Sequence, residues 1–224
     1  MRISVLALDG VFDSGLSVVL DTLETANSLA KGSPFEVTVL GLRNRVHTHH
    51  GLRVPVVRVG GRGPRADVVI VPALGAKTPE TVASALERSD VEDACCLVQS
   101  WSTAGARIAG ECTATFVLAA SGILDGGTAT TTWWLAPMFR ERFPAVTLDE
   151  SRMVVASPRV ITAGAALAHV DLALWLVRQR SPTLAQAAAR HLLFDARPSQ
   201  ATYAMPDHLA HADPLVERFE HWAR

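Results

Sequence analysis

A chain of 224 residues can bury a full core and suits one α/β domain with an appendage. Hydrophobic residues at 49% and charged residues at 19% exclude a disordered chain, and a net charge of −1 excludes nucleic-acid binding through bulk electrostatics. The 3 Cys residues, two of them adjacent, form neither a disulfide framework nor a zinc spacing. No apolar run reaches membrane-span length, and Asp9 interrupts the N-terminus where a signal peptide would stay apolar. A cytoplasmic protein with reduced thiols, no metal and no cofactor is expected.

In chain order, residues 3–8 form a short apolar run closed by Asp9-Gly10, a first buried strand. Residues 15–30 read as an amphipathic helix with Leu16, Val19, Leu20, Leu23 and Ala26 on one face, and Asp13 or Ser14 is its expected cap. A second strand covers residues 35–42, so the chain begins β-α-β, which implies a parallel sheet with helices on both faces. Residues 45–59 alternate around His50-Gly51 as a hairpin. Its His47, His49 and His50 invite a metal, but no carboxylate or Cys sits beside them in sequence, and a solvated hairpin is expected.

Residues 67–71 form a third buried strand ending in Pro72-Ala73-Leu74-Gly75, and such carboxyl-end loops are where parallel sheets bind ligands. Thr78-Pro79-Glu80 reads as an N-cap with Pro at the first helical position. Helices are expected to about Arg88 and over residues 91–101, with Cys95 and Cys96 as core residues of the second. After residue 124 the spacing predicts a strand at 128–131, a helix at 135–143, and short strands at 146–148, 153–156 and 160–163. Helices follow at 166–178 and 182–194. Asp171 lies in the apolar face of the first and reads as a structural hydrogen-bonding group. Residues 196–212 lack periodicity and read as a linker, and Asp213-Pro214 caps an amphipathic segment that runs to Arg224.

The organising stretch is residues 106–124, ARIAGECTATFVLAASGIL. A strand-like run turns at Gly110-Glu111-Cys112-Thr113 into an alanine-rich helix, the layout of a nucleophile elbow. Helix N-terminal amides at such a corner can lower a thiol pKa and hold an oxyanion. The same corner is compatible with Cys112 as a small buried hydrophobe.

On GECTATFVLAASGILDGGTATTTW (residues 110–133) and ITAGAALAHVDLALWLV (161–177), the chain resembles the PfpI branch of the class I glutamine amidotransferase-like superfamily. More closely, it resembles the N-terminal domain of AraC-family transcription regulators. The resemblance implies a three-layer, flavodoxin-like α/β sandwich with a mostly parallel sheet over residues 1–195. It also implies a linker at 196–212 and, at 213–224, the start of a C-terminal helix-turn-helix half. PSQATY (198–203) and DPLVERFEHW (213–222) fit that junction.

Relatives that are enzymes assist the elbow Cys with a following His or an acid near the first helix. Here Thr113 follows Cys112, and Thr132 stands before Trp133 where regulator relatives often carry His. Threonine is no general base near neutral pH. Gly15 aligns with the acid of isocyanide hydratase relatives, with Asp13 two residues earlier, and Ala73-Leu74 precede Gly75 where relatives place adjacent glycines. The expected function is therefore an effector-sensing, homodimerising domain without turnover, reaching DNA only through another domain. Its candidate ligand-binding residues are Asp13, Leu74, Gly75, Cys112, Thr113, Thr132 and Trp133. The alternative is a stand-alone Cys112-dependent hydratase or hydrolase of a small electrophile, with Asp13 moving the proton.

Overall fold

A computed structural model describes residues 1–60 and 66–204, together with Arg218 and Trp222. The amphipathic segment expected at 213–224 therefore lies almost wholly outside the described residues.

Strands β1 (Arg2–Leu6) and β2 (Glu36–Gly41) flank helix α1 (Asp13–Leu29) and pair in parallel, Arg2 opposite Glu36. The hairpin exists as β3 (Val46–His47) against β4 (Arg53–Val54), but its distal end departs from the expectation: β5 (Val57–Arg58) pairs in parallel with β2 at the sheet edge. Then follow β6 (Val68–Val71), α2 (Pro79–Leu86), α3 (Ser89–Thr103), β7 (Arg107–Glu111) and α4 (Ala114–Ala120). Strand β8 (Thr128–Ala129) pairs with β9 (Thr147–Leu148) in a small sheet of its own, with α5 (Ala136–Arg142) between them. Strands β10 (Val154–Ala156) and β11 (Val160–Ala163) precede α6 (Ala168–Arg180) and α7 (Pro182–His191).

The main sheet runs β10-β11-β7-β6-β1-β2-β5, and only the β10–β11 pairing is antiparallel. Period-two alternation divides its side chains between two cores. Val5, Ile70, Ala109 and Ile161 face α1, α6 and α7, while Leu6, Val69, Val71 and Ile108 face α2 to α5. This is the three-layer, mostly parallel architecture expected from the β-α-β pattern.

Local chemistry explains several boundaries. Thr78 accepts a hydrogen bond from the Thr81 amide, and Pro79 occupies the first turn of α2, completing the predicted cap. The cap of α1 differs from expectation: Phe12 is the capping residue without a side-chain bond, and Asp13 already lies inside the helix with its carboxylate turned to the β3–β4 turn. Cys95 and Cys96 also differ, being half-buried and exposed, because α3 turns its Val91, Ala94, Val98 and Trp101 face inward. Asp171 serves as the expected structural group, ion-paired with Arg197.

Candidate functional site

Strand β7 carries the chain into the centre of the sheet and delivers it at Cys112. Its φ of +52° places a non-glycine residue in the left-handed region, at a cost of order 1 kcal/mol. Two bonds hold the strain: the Cys112 amide donates to the Ala163 carbonyl at 2.9 Å, and Thr131 Oγ1 donates to the Cys112 carbonyl at 2.7 Å. The corner is thus an elbow in geometry.

Its electrostatics point away from a nucleophile. Burial pushes the Cys112 thiol up to about 12, and the neighbouring Thr113 amide offsets this only in part. Cys112, Thr113 and Thr132 are all buried. The loop after β6, where a second oxyanion donor would sit, is tied to the fold. The Ala73 amide donates to His169 Nε2 at 3.4 Å and the Gly75 amide to the Gly10 carbonyl at 2.8 Å. Thr113 Oγ1 donates to the Leu74 carbonyl at 2.9 Å, binding this loop to the elbow. Gly75 is required by contact, since a Cβ there would lie 2.2 Å from the His49 ring.

The remaining expected residues sit around this corner with separate partners. Asp13 meets His50 Nδ1 at 2.8 Å. Partial burial would raise its pKa, but hydrogen bonds from Thr48 and His50 outweigh that and hold it at about 2, so it is a carboxylate with no proton to give near neutrality. Trp133 is half-buried and stacks edge-on against Trp134, whose indole nitrogen donates to the Lys77 carbonyl at 3.2 Å. Leu74 and Gly75 line a cavity of about 690 Å³ together with His49, Lys77, Ser84 and Arg88, a volume suited to a small molecule. Cys112, Thr113, Thr132, Trp133 and Asp13 are outside its lining. The His49 and His50 rings meet edge-on at 5.1 Å, but among the described residues no group of three ligating side chains could hold a metal ion.

A second buried feature was not foreseen. Alternation along β7 sends Glu111 to the α1–α6 face, where its Oε2 lies 3.2 Å from His169 Nε2, both side chains fully buried. The His169 Nδ1–H donates to the Ala166 carbonyl, so Nε2 carries the lone pair. Desolvation raises Glu111 well above the carboxylate range and lowers His169 to about 4. The protonated carboxylic acid beside a neutral imidazole is the arrangement that avoids two facing lone pairs. Gly15 makes room for it: a Cβ there would lie 2.4 Å from His169 Nε2. The position where the resemblance expects an acid is thus filled from α6. A Glu directly after the small, apolar run Ile108-Ala109-Gly110 was the available signal.

Residues 1–179 match the DJ-1/PfpI family. The chain belongs to that family. Its fold matches that of an AraC family transcriptional regulator from Pseudomonas putida, with a TM-score of 0.72 at 21% identity over 85% of this chain and 98% of that one. Drosophila melanogaster DJ-1beta matches with a TM-score of 0.65 at 21% identity, over 87% of this chain and 98% of that one. Among curated relatives, the HTH-type transcriptional regulator CdhR of Pseudomonas aeruginosa is 35% identical over 98 residues, 43% of this chain and 29% of CdhR. The HTH-type transcriptional regulator GbdR of the same species is 24% identical over 195 residues, 86% of this chain and 50% of GbdR. The aligned region is thus half or less of each regulator's length. The DJ-1/PfpI fold hosts both regulators and enzymes, so the site must distinguish them.

Proposed function

We propose that this chain is the effector-sensing domain of an AraC-type transcription regulator and that it binds without turning over. The observation that carries the reading is the disarmed elbow. Its strained backbone is kept, yet the thiol is buried and protonated, Thr132 stands where a base would act, and the Ala73 and Gly75 amides are already engaged. The regulator names of CdhR and GbdR support it.

The effector is a small molecule that occupies the cavity beside Leu74 and Gly75, and the buried Cys112–Thr113–Thr132 corner senses it through the bond from Thr113 to the Leu74 carbonyl. Asp13 holds the β3–β4 turn at the same end of the sheet. The domain forms a homodimer and reaches DNA through a separate domain, and sensing requires that the effector bind two states of the dimer unequally.

The test is the alkylation of Cys112 by iodoacetamide as a function of pH, read on the Cys112 peptide so that Cys95 and Cys96 do not contribute. The rate should keep rising past the free-thiol value of about 8.5. A midpoint below about 7, together with Cys112-dependent turnover of an α-oxoaldehyde or an isocyanide that is lost in Cys112→Ser, would establish the hydratase or hydrolase instead.

A further inference from the structure

Residues 196–203 show no periodicity, yet they lie against the domain and insert one side chain into it. Gln200 is 1% exposed. Its Nε2 donates to the Thr131 carbonyl at 2.9 Å and to Thr130 Oγ1 at 3.1 Å, and its Oε1 accepts from the Ala165 amide at 3.0 Å. The socket depends on Gly164, where a Cβ would lie 2.5 Å from Gln200 Nε2. On either side the segment is pinned by backbone bonds, from the Gln200 amide to the Ser151 carbonyl at 3.0 Å and from the Met153 amide to the Pro198 carbonyl at 3.3 Å. Arg197 adds an ion pair to Asp171 and a bond to the Leu167 carbonyl.

The socket and the elbow are built from the same residues. Thr131 gives its carbonyl to Gln200 and its hydroxyl to the Cys112 carbonyl. The turn after β11 receives the Cys112 amide at the Ala163 carbonyl and, two residues later, gives the Ala165 amide to Gln200. Two short routes therefore join the strained corner to the docked segment. A buried amide that leaves such a socket abandons several satisfied polar groups at once, so withdrawal is all-or-none rather than gradual.

We propose that residues 197–203 form a latch, and that withdrawal of Gln200 and opening of the Cys112 corner are one coupled event. Its use in passing effector occupancy to the chain beyond residue 204 rests on the sensing role; the coupling itself does not, and its test needs neither effector nor DNA.

The experiment compares iodoacetamide labelling of Cys112 in the wild-type chain, Gln200→Ala, Gly164→Ala, and Thr78→Ala, a variant destabilised at the α2 cap, whose hydrogen bonds involve neither the latch nor its socket. Gln200→Ala and Gly164→Ala should label about tenfold or more faster than wild type, because local opening gates access to a buried thiol, and Thr78→Ala should not. A Gln200→Ala rate equal to that of wild type or of Thr78→Ala overturns the proposal. A reciprocal measurement needs no variant: hydrogen exchange across residues 197–203 of the wild-type chain, before and after Cys112 is alkylated. Faster exchange confined to that segment and the 163–165 turn is the expected result. Unchanged exchange there overturns the coupling even if both variants fail to fold, and it would leave the sensing role standing.

Discussion

Cys112 and Glu111 are adjacent in the chain and face opposite ends of the same problem, because each ionisable group is taken out of water without a counter-charge. Burial keeps the thiol protonated and favours the neutral carboxylic acid beside His169. The pair is sterically bounded by Gly15, so Gly15→Ala should force the His169 ring to move in a site with no slack. The expected loss is about 1–3 kcal/mol in urea denaturation, the range of overpacked cores. An unchanged midpoint would show that the ring has room to rotate.

Among the elements, α2 shows how far local chemistry reaches. Thr78, Pro79 and Thr81 satisfy the first turn of α2 from within the same few residues, so this boundary was readable from sequence. Thr78→Ala should cost about 1 kcal/mol of stability and leave the near-ultraviolet spectrum of the folded state unchanged. The start of α1 behaves differently. Asp13 has the chemistry of a cap, but His50 and Thr48 arrive from the β3–β4 hairpin and take its carboxylate, leaving Phe12 as the capping residue. A partner 37 residues away in the chain decides that outcome, and no helix-start pattern contains it.

For the whole molecule, the Glu111–His169 pair ties stability to pH. His169 is lowered in the fold, so its contribution is present above the unfolded value of about 6.5 and is lost as pH falls toward 4. Glu111 is raised, so its contribution is present below the unfolded value of about 4.5 and is lost as pH rises. Across the pair, the folded state holds one proton, while the unfolded chain holds two below about 4.5, one up to about 6.5 and none above. Stability from this pair should therefore plateau between roughly pH 4.5 and 6.5 and fall above it by about 1.4 kcal/mol per unit. Glu111→Gln should abolish the alkaline slope in urea titrations. A wild type as flat as that variant would mean that Glu111 has lost its proton while His169 stays neutral.

The sequence alone determined the layers, the strand order's β-α-β beginning, the elbow at Cys112 and the family, because these follow from periodicity, turn chemistry and a contiguous motif. That Thr132, and no histidine, precedes Trp133 was equally legible, since it is the identity of one residue. What only the tertiary structure decided are the relations between distant segments. The Ala73 and Gly75 amides became unavailable because His169 and Gly10 reach them, and the pair beneath the elbow required β7 and α6 to meet. The segment that reads as a linker is docked through Gln200 because Gly164 and Thr131 leave a polar socket of its size. A hydrogen bond between residues 69 apart leaves no periodic trace in either segment, so packing alone creates it.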